Sequence, residues 1–351
     1  YETSNIRYLT TRHEQATSYM ADGYARVSGE IAAVLVVPGP VVFNAFAGMA
    51  TAYAVSSPML VVTGTRHQDH SQAGETELAG LGQITKWAAR AQNVVEIPHL
   101  VREAFCQMKG GRSRPVLLEI PAHVFAELAE VQLLDPIVLD QALPQARIQR
   151  AAQILVNASR PVIWAGGGVH RADASPVLQA LAEHLGAPVV TTAQGKGALS
   201  DRHPLALGLA ELRYSPLRTW LEDRDTILAV GTRTDFTTLL PQAQVIKIDI
   251  DEAELGQADH IFGIIGDAQA TLQTLYECVV KLTSARPSAA SEVKALNVQR
   301  FAPASQLQPQ WALMQAIRAA MPDDGILVQD MNQMGYYSRN YYPVYAPRAY
   351  L

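Results

Sequence analysis

Four places in this chain hold residue types and spacings that can do chemistry. Glu14 follows Arg12-His13 and opens an amphipathic stretch that runs through Met20-Ala21-Asp22-Gly23-Tyr24-Ala25-Arg26. Taken alone it is a first-turn acid, stabilised by the partial positive charge of a helix N-terminus. His67 and His70, with Asp69 between them, put two imidazoles and a carboxylate on one polar loop. No third ligand accompanies them at helical spacing, so a solvated loop is the preferred reading over a metal site. Gly166-Gly167-Gly168 follows an apolar run and invites comparison with a dinucleotide loop. It lacks the G-x-G-x-x-G spacing, which leaves a tight strand-to-helix turn as the simpler reading. Asp249 and Asp251 close another apolar run. An acid there can hold a ribose, but Asp251 followed by Glu252 and Glu254 is also a good helix N-terminus, and the cap is favoured. Neither a G-x-S-x-G elbow nor a P-loop occurs.

The elements that must position these groups alternate helix and strand. Residues 14–27 read as a helix with Ala16, Tyr19, Met20, Gly23 and Tyr24 on one face. A strand over 31–37, a turn at 38–40, a helix over 43–55 and a strand over 59–63 follow, then a polar loop over 66–77. A helix over 98–109 leads to a strand over 115–120. After a linker over 127–143 the alternation restarts, with strands expected over 161–165, 188–191, 226–230 and 244–250 and helices over 148–158, 174–185, 215–221 and 268–281. Short apolar strands separated by helices mean parallel βαβ units, hence doubly wound α/β domains. Residues 283–308, rich in Ser, Ala, Pro and Gln, read as a second linker. A final helix–strand–helix piece is expected over 309–321, 326–329 and 333–342, too small for a core of its own.

Composition narrows the function classes. The chain has 351 residues, 48% hydrophobic and 17% charged, which fits two or three globular domains. A net charge of −5 argues against nucleic-acid binding through a general basic field. Two cysteines, Cys106 and Cys278, make no disulfide framework, which points to a reducing cytoplasm. No charge occurs from Ile31 to Thr65, but Pro38, Gly39, Pro40 and Pro58 break the run, so no membrane span is expected.

Arg12-His13-Glu14-Gln15, then Met20-Ala21-Asp22-Gly23-Tyr24-Ala25-Arg26, then Gly39-Pro40 with Asn44, resemble the pyrimidine-binding domain of thiamine-diphosphate enzymes of the acetolactate synthase group. Arg160-Pro161-Val162-Ile163, Gln194-Gly195-Lys196-Gly197-Ala198, Gly231-Thr232-Arg233 and Ile248-Asp249-Ile250-Asp251 resemble that family's central domain. Asp330, Gln333 and Tyr341-Tyr342 fall where its diphosphate-binding domain starts. The resemblance implies three successive doubly wound parallel-sheet domains: pyrimidine-binding over 1–130, central over 145–282, and the start of the diphosphate-binding domain over 309–351. Tyr1 and Leu351 are then expected to be cuts inside domains.

By the same resemblance, Glu14 would hydrogen-bond the cofactor's aminopyrimidine ring, from an apolar pocket that raises its pKa. Pro40, Asn44, Asn332, Gln333 and Met334 would contact the cofactor, and Gln72, on a loop similar to that of benzaldehyde lyase, would face the substrate. The implied activity is a lyase or carboligase that decarboxylates a small 2-oxo acid, as acetolactate synthase does. Benzaldehyde-lyase-like or 2-hydroxyacyl-CoA-lyase-like cleavage of a 2-hydroxy ketone, and an inactive nucleotide-binding relative, are the alternatives. A homodimer or homotetramer is implied, because the family builds its active site from two subunits. Mg²⁺ is implied too, but the family's Gly-Asp-Gly ligand segment is not in this chain, so no residue is assigned to metal.

Three departures stand out. Val41 replaces a glycine of the family's Gly-Pro-Gly turn, and Met334 replaces a frequent histidine. Leu209-Ala210-Glu211-Leu212 stands where flavin-binding members carry Met-His-Gly, so bound FAD is not expected.

Overall fold

The computed structural model describes residues 6–65, 79–135, 137, 142–213 and 215–351. They belong to two compact units, residues 1–140 and 141–351.

In the first unit, four parallel strands stand in the order β1-β2-β4-β3. They are β1 (Ala32–Val36), β2 (Met59–Thr63), β3 (Trp87–Arg90) and β4 (Pro115–Glu119). Register aligns Val34 with Val61 and Val61 with Leu117, all fully buried. Strand β3 was not anticipated. It has only four residues, all half-buried, and its Arg90 pairs with the buried Glu119 at 3.0 Å. A charge at the sheet edge hid the strand from a reading based on apolar runs.

Helix α1 (Glu14–Ser28) and helix α2 (Phe46–Val55) pack against each other beside β1. The face expected from α1's periodicity turns outward, with Tyr19, Met20 and Tyr24 exposed. Ser18, Ala21, Asp22 and Ala25 are buried instead. Small residues win this contact because they let the helix backbones approach: a Cβ added to Gly48 of α2 would lie 2.8 Å from the backbone carbonyl carbon of Ser18. Helix α3 (Ile97–Lys109) buries Ala104 and Met108 over β4.

The second unit holds six parallel strands in the order β10-β9-β8-β5-β6-β7. Strands β5 (Pro161–Ala165) and β8 (Thr226–Val230) are buried at every position, as central parallel strands covered on both faces should be. Beside them run β6 (Val189–Thr191) and β9 (Gln244–Asp249). The two edge strands, β7 (Ala206–Leu209) and β10 (Ile261–Ile265), were not anticipated; Gly208 and Gly263 interrupt their apolar runs.

The expected linker over 283–308 contains a helix, α4 (Ala290–Ser305). It lies against edge strand β7 and supplies what an edge lacks: Asn297 Nδ2 donates to Ala206 O at 3.1 Å and Arg300 donates to Leu207 O. Its sequence hides this role, because its buried residues Val293, Leu296, Arg300 and Ala304 include a charge. Helices α5 (Gln310–Ala320) and α6 (Gln333–Tyr341) follow. Instead of the expected strand over 326–329 there is a single parallel bridge, Leu327 to Tyr350. This last piece buries Met314, Tyr337, Tyr341, Tyr342 and Val344 around Ala304 of α4.

Candidate functional site

Glu14 opens α1, and the N-cap is His13, whose Nδ1 accepts from Gln15 N at 3.2 Å. Further along, Gly39 turns the chain at φ 99°, a conformation open to glycine. Pro40 then starts the short 3₁₀ turn Pro40–Ala45 with its ring-fixed φ. That turn delivers Asn44, whose Nδ2 donates to Glu14 Oε2 at 3.0 Å. Sequence periodicity cannot show this pairing, because it depends on α1 and the turn packing directly against each other. Val41 is accommodated without positive φ; among the described residues only Ser56, Asp173 and Arg348 adopt it besides glycines.

Glu14 is half-buried. Its carboxyl lies below the ordinary value, chiefly because the Asn44 amide donates to it, with its own backbone N–H and nearby His13 adding to the effect. The expected apolar pocket and raised pKa are therefore not found among the described residues. Desolvation pulls the other way but is outweighed by the hydrogen bonds. What the arrangement offers is an oriented, ionised carboxylate at a helix N-terminus, reachable from outside and able to accept from a ring N–H.

The other expected residues lie apart from this pair in the chain. Asn332 caps α6, and its side chain accepts from Gly335 N at 2.8 Å. Gln333 is exposed, and Met334 is half-buried against the aromatic cluster of the last piece. These three belong to the second unit, Glu14, Pro40 and Asn44 to the first. Gln72, His67 and His70 lie outside the described residues. Among the described residues no group of three or more His, Cys, Asp or Glu is placed to hold a metal ion.

The glycine run and the acidic strand end resolve toward their plainer readings. A Cβ on Gly168 would meet Gly231 Cα at 2.6 Å, so the run serves a close approach of two loops. Asp251 accepts from Ala253 N at 3.1 Å and caps the turn Glu252–Glu254, while Asp249 Oδ1 accepts from Asp251 N.

Residues 1–85 match the thiamine pyrophosphate enzyme N-terminal TPP binding domain, and residues 148–275 match the thiamine pyrophosphate enzyme central domain. Among curated relatives, a probable 2-ketoarginine decarboxylase of Pseudomonas aeruginosa is 33% identical over 99% of this chain and 65% of its own length. The acetolactate synthase isozyme 3 large subunit of Escherichia coli is 29% identical over all of this chain and 66% of its own. A probable acetolactate synthase large subunit of Methanocaldococcus jannaschii is 35% identical over 80% of this chain and 51% of its own. The chain thus spans no more than about two thirds of the length of these relatives.

Proposed function

Since this chain belongs to the thiamine pyrophosphate enzymes, with their N-terminal and central domains, we propose that it serves in a lyase or carboligase that decarboxylates a small 2-oxo acid. The observation that carries the reading is the Glu14–Asn44 pair at the start of α1, inside the region matched to the TPP binding domain. A carboxylate so placed suits the aminopyrimidine of thiamine diphosphate, and the amide of Asn44 fixes which edge it presents. The cofactor supplies the carbon nucleophile and electron sink when bound. Glu14 orients the ring and exchanges a proton at a ring nitrogen, and its ionised form is the one Asn44 favours.

Pro40 and Gly39 shape the turn under the ring, and Asn332, Gln333 and Met334 at the start of α6 line the approach to the diphosphate. Gln72 takes the substrate-facing place. Residues 309–351 form the beginning of the diphosphate-binding domain. The described residues offer no carboxylate cluster for Mg²⁺, so no step is assigned to a metal ligand of this chain. A second copy of the chain covers the exposed Tyr19, Met20 and Tyr24 and desolvates Glu14, in a homodimer or homotetramer. The relatives' names speak of acetolactate synthesis and of 2-ketoarginine decarboxylation, both transformations of 2-oxo acids, and support that substrate class. No described helix is long and apolar enough to cross a membrane, and we place the protein in the cytoplasm.

The test is Glu14→Gln, which keeps the shape and removes the charge. Decarboxylation of pyruvate and longer 2-oxo acids by the intact protein should be lost while the melting curve is unchanged. Full turnover in that variant refutes the reading.

A further inference from the structure

In the second unit a cavity of about 230 Å³ lies between β7, α4 and the last piece of the chain. It has room for about seven waters at their share of liquid volume, hence for a small metabolite. Two cations line it, Lys196 and Arg300, with only 4% and 5% of their surfaces exposed. One carboxylate accompanies them: Asp201 lies 3.7 Å from Lys196 Nζ. Two cations facing one anion leave a net positive wall in a poorly solvated place, which favours an anionic guest.

The same cavity carries two acceptors left over. Asn297 Oδ1 and Asn340 Oδ1 are buried and have no hydrogen-bond partner among the described residues. Their orientation is fixed, because each amide nitrogen donates to a backbone carbonyl, Asn297 to Ala206 O and Asn340 to Tyr336 O. Buried acceptors call for a donor. A further wall is apolar, made by Phe301 and Trp311. Gly208, at φ 66°, keeps the floor open: a Cβ there would stand 3.4 Å from both Asp201 Oδ1 and an Arg300 Nη.

We propose that this cavity binds a small 2-hydroxy carboxylate. The carboxylate faces Lys196 and Arg300, the hydroxyl donates to Asn297 or Asn340, and an alkyl stem lies on the Phe301 and Trp311 rings. A hydroxyl is the fitting donor because an ammonium group in its place would sit beside two cations. The residues involved all belong to the second unit and include neither Glu14 nor Asn44, so the assignment stands independently of the thiamine reading.

The test is calorimetric titration of the full chain with 2-hydroxy-3-methylbutanoate, and in parallel with 3-methylbutanoate, which lacks the hydroxyl. The hydroxy acid should bind saturably, and the deoxy acid at least about tenfold more weakly, the factor expected for one buried acceptor left unpaired. Gln315 lines the mouth from an exposed position on α5, so Gln315→Trp should close it without disturbing the fold and weaken binding about tenfold or more. Lys196→Met should also weaken it; if that variant does not fold, Gln315→Trp still decides. No saturable binding, equal affinity for the two acids, or affinity undiminished by Gln315→Trp overturns the assignment.

Discussion

Replacing Gly48 by alanine probes the contact on which the Glu14 site rests. The added Cβ would stand 2.8 Å from both the backbone carbonyl carbon and the Cβ of Ser18, and closer still to its hydroxyl. The hydroxyl could rotate, but the backbone atom cannot yield unless α1 moves away from α2. Overpacking of this kind costs about 1–3 kcal/mol. For a unit of this size, at about 2–4 °C per kcal/mol, that amounts to roughly 2–12 °C in melting temperature. Because α1 carries Glu14 and the turn before α2 carries Asn44, the same displacement should stretch their 3.0 Å hydrogen bond and weaken thiamine diphosphate binding. The assay is thermal unfolding of Gly48→Ala alone and combined with Ser18→Gly. The double variant removes the Ser18 side chain but leaves its backbone in the way, so it should recover part of the loss and not all of it. A melting temperature unchanged in Gly48→Ala, or fully restored in the double variant, refutes the close-approach argument.

Asn44→Leu removes the main donor that holds the Glu14 carboxyl low, so its titration, followed by carboxyl NMR, should move up toward the ordinary glutamate range. A depressed folded pKa stabilises above the unfolded value and ceases to do so as pH falls through the folded one, so Asn44→Leu should become less acid-sensitive than the parent. Arg300→Met leaves the Leu207 carbonyl of edge strand β7 without its buried donor and should cost about 1–3 kcal/mol in urea unfolding. A loss below a few tenths would mean that α4 does not protect this edge. The purified full-length protein should show no flavin absorbance band, since the run at Leu209–Leu212 lacks the motif of flavin-binding members.

Much of this was legible in the residue order. Alternating apolar runs and helical periods are local signals, and they place the central strands Pro161–Ala165 and Thr226–Val230 and the helix Glu14–Ser28. The motif around Glu14 is equally local, so the family could be read from it without coordinates. Edge strands escaped, because an edge is half-exposed and tolerates the charge of Arg90 or the break at Gly208, which erase the period. The helix Ala290–Ser305 escaped because its buried face contains Arg300, which donates to Leu207 O of strand β7 and to Asn340 O of α6, both far away in the chain.

By itself the sequence determined the parallel α/β architecture, the family and the candidate carboxylate, since each is encoded within a few neighbouring residues. Only the tertiary structure decided which face of the first helix is buried, because that depends on Ser18 and Gly48 meeting across two helices. It also decided the protonation tendency of Glu14: a carboxylate takes its pKa from what surrounds it in space, and here that is the amide of Asn44.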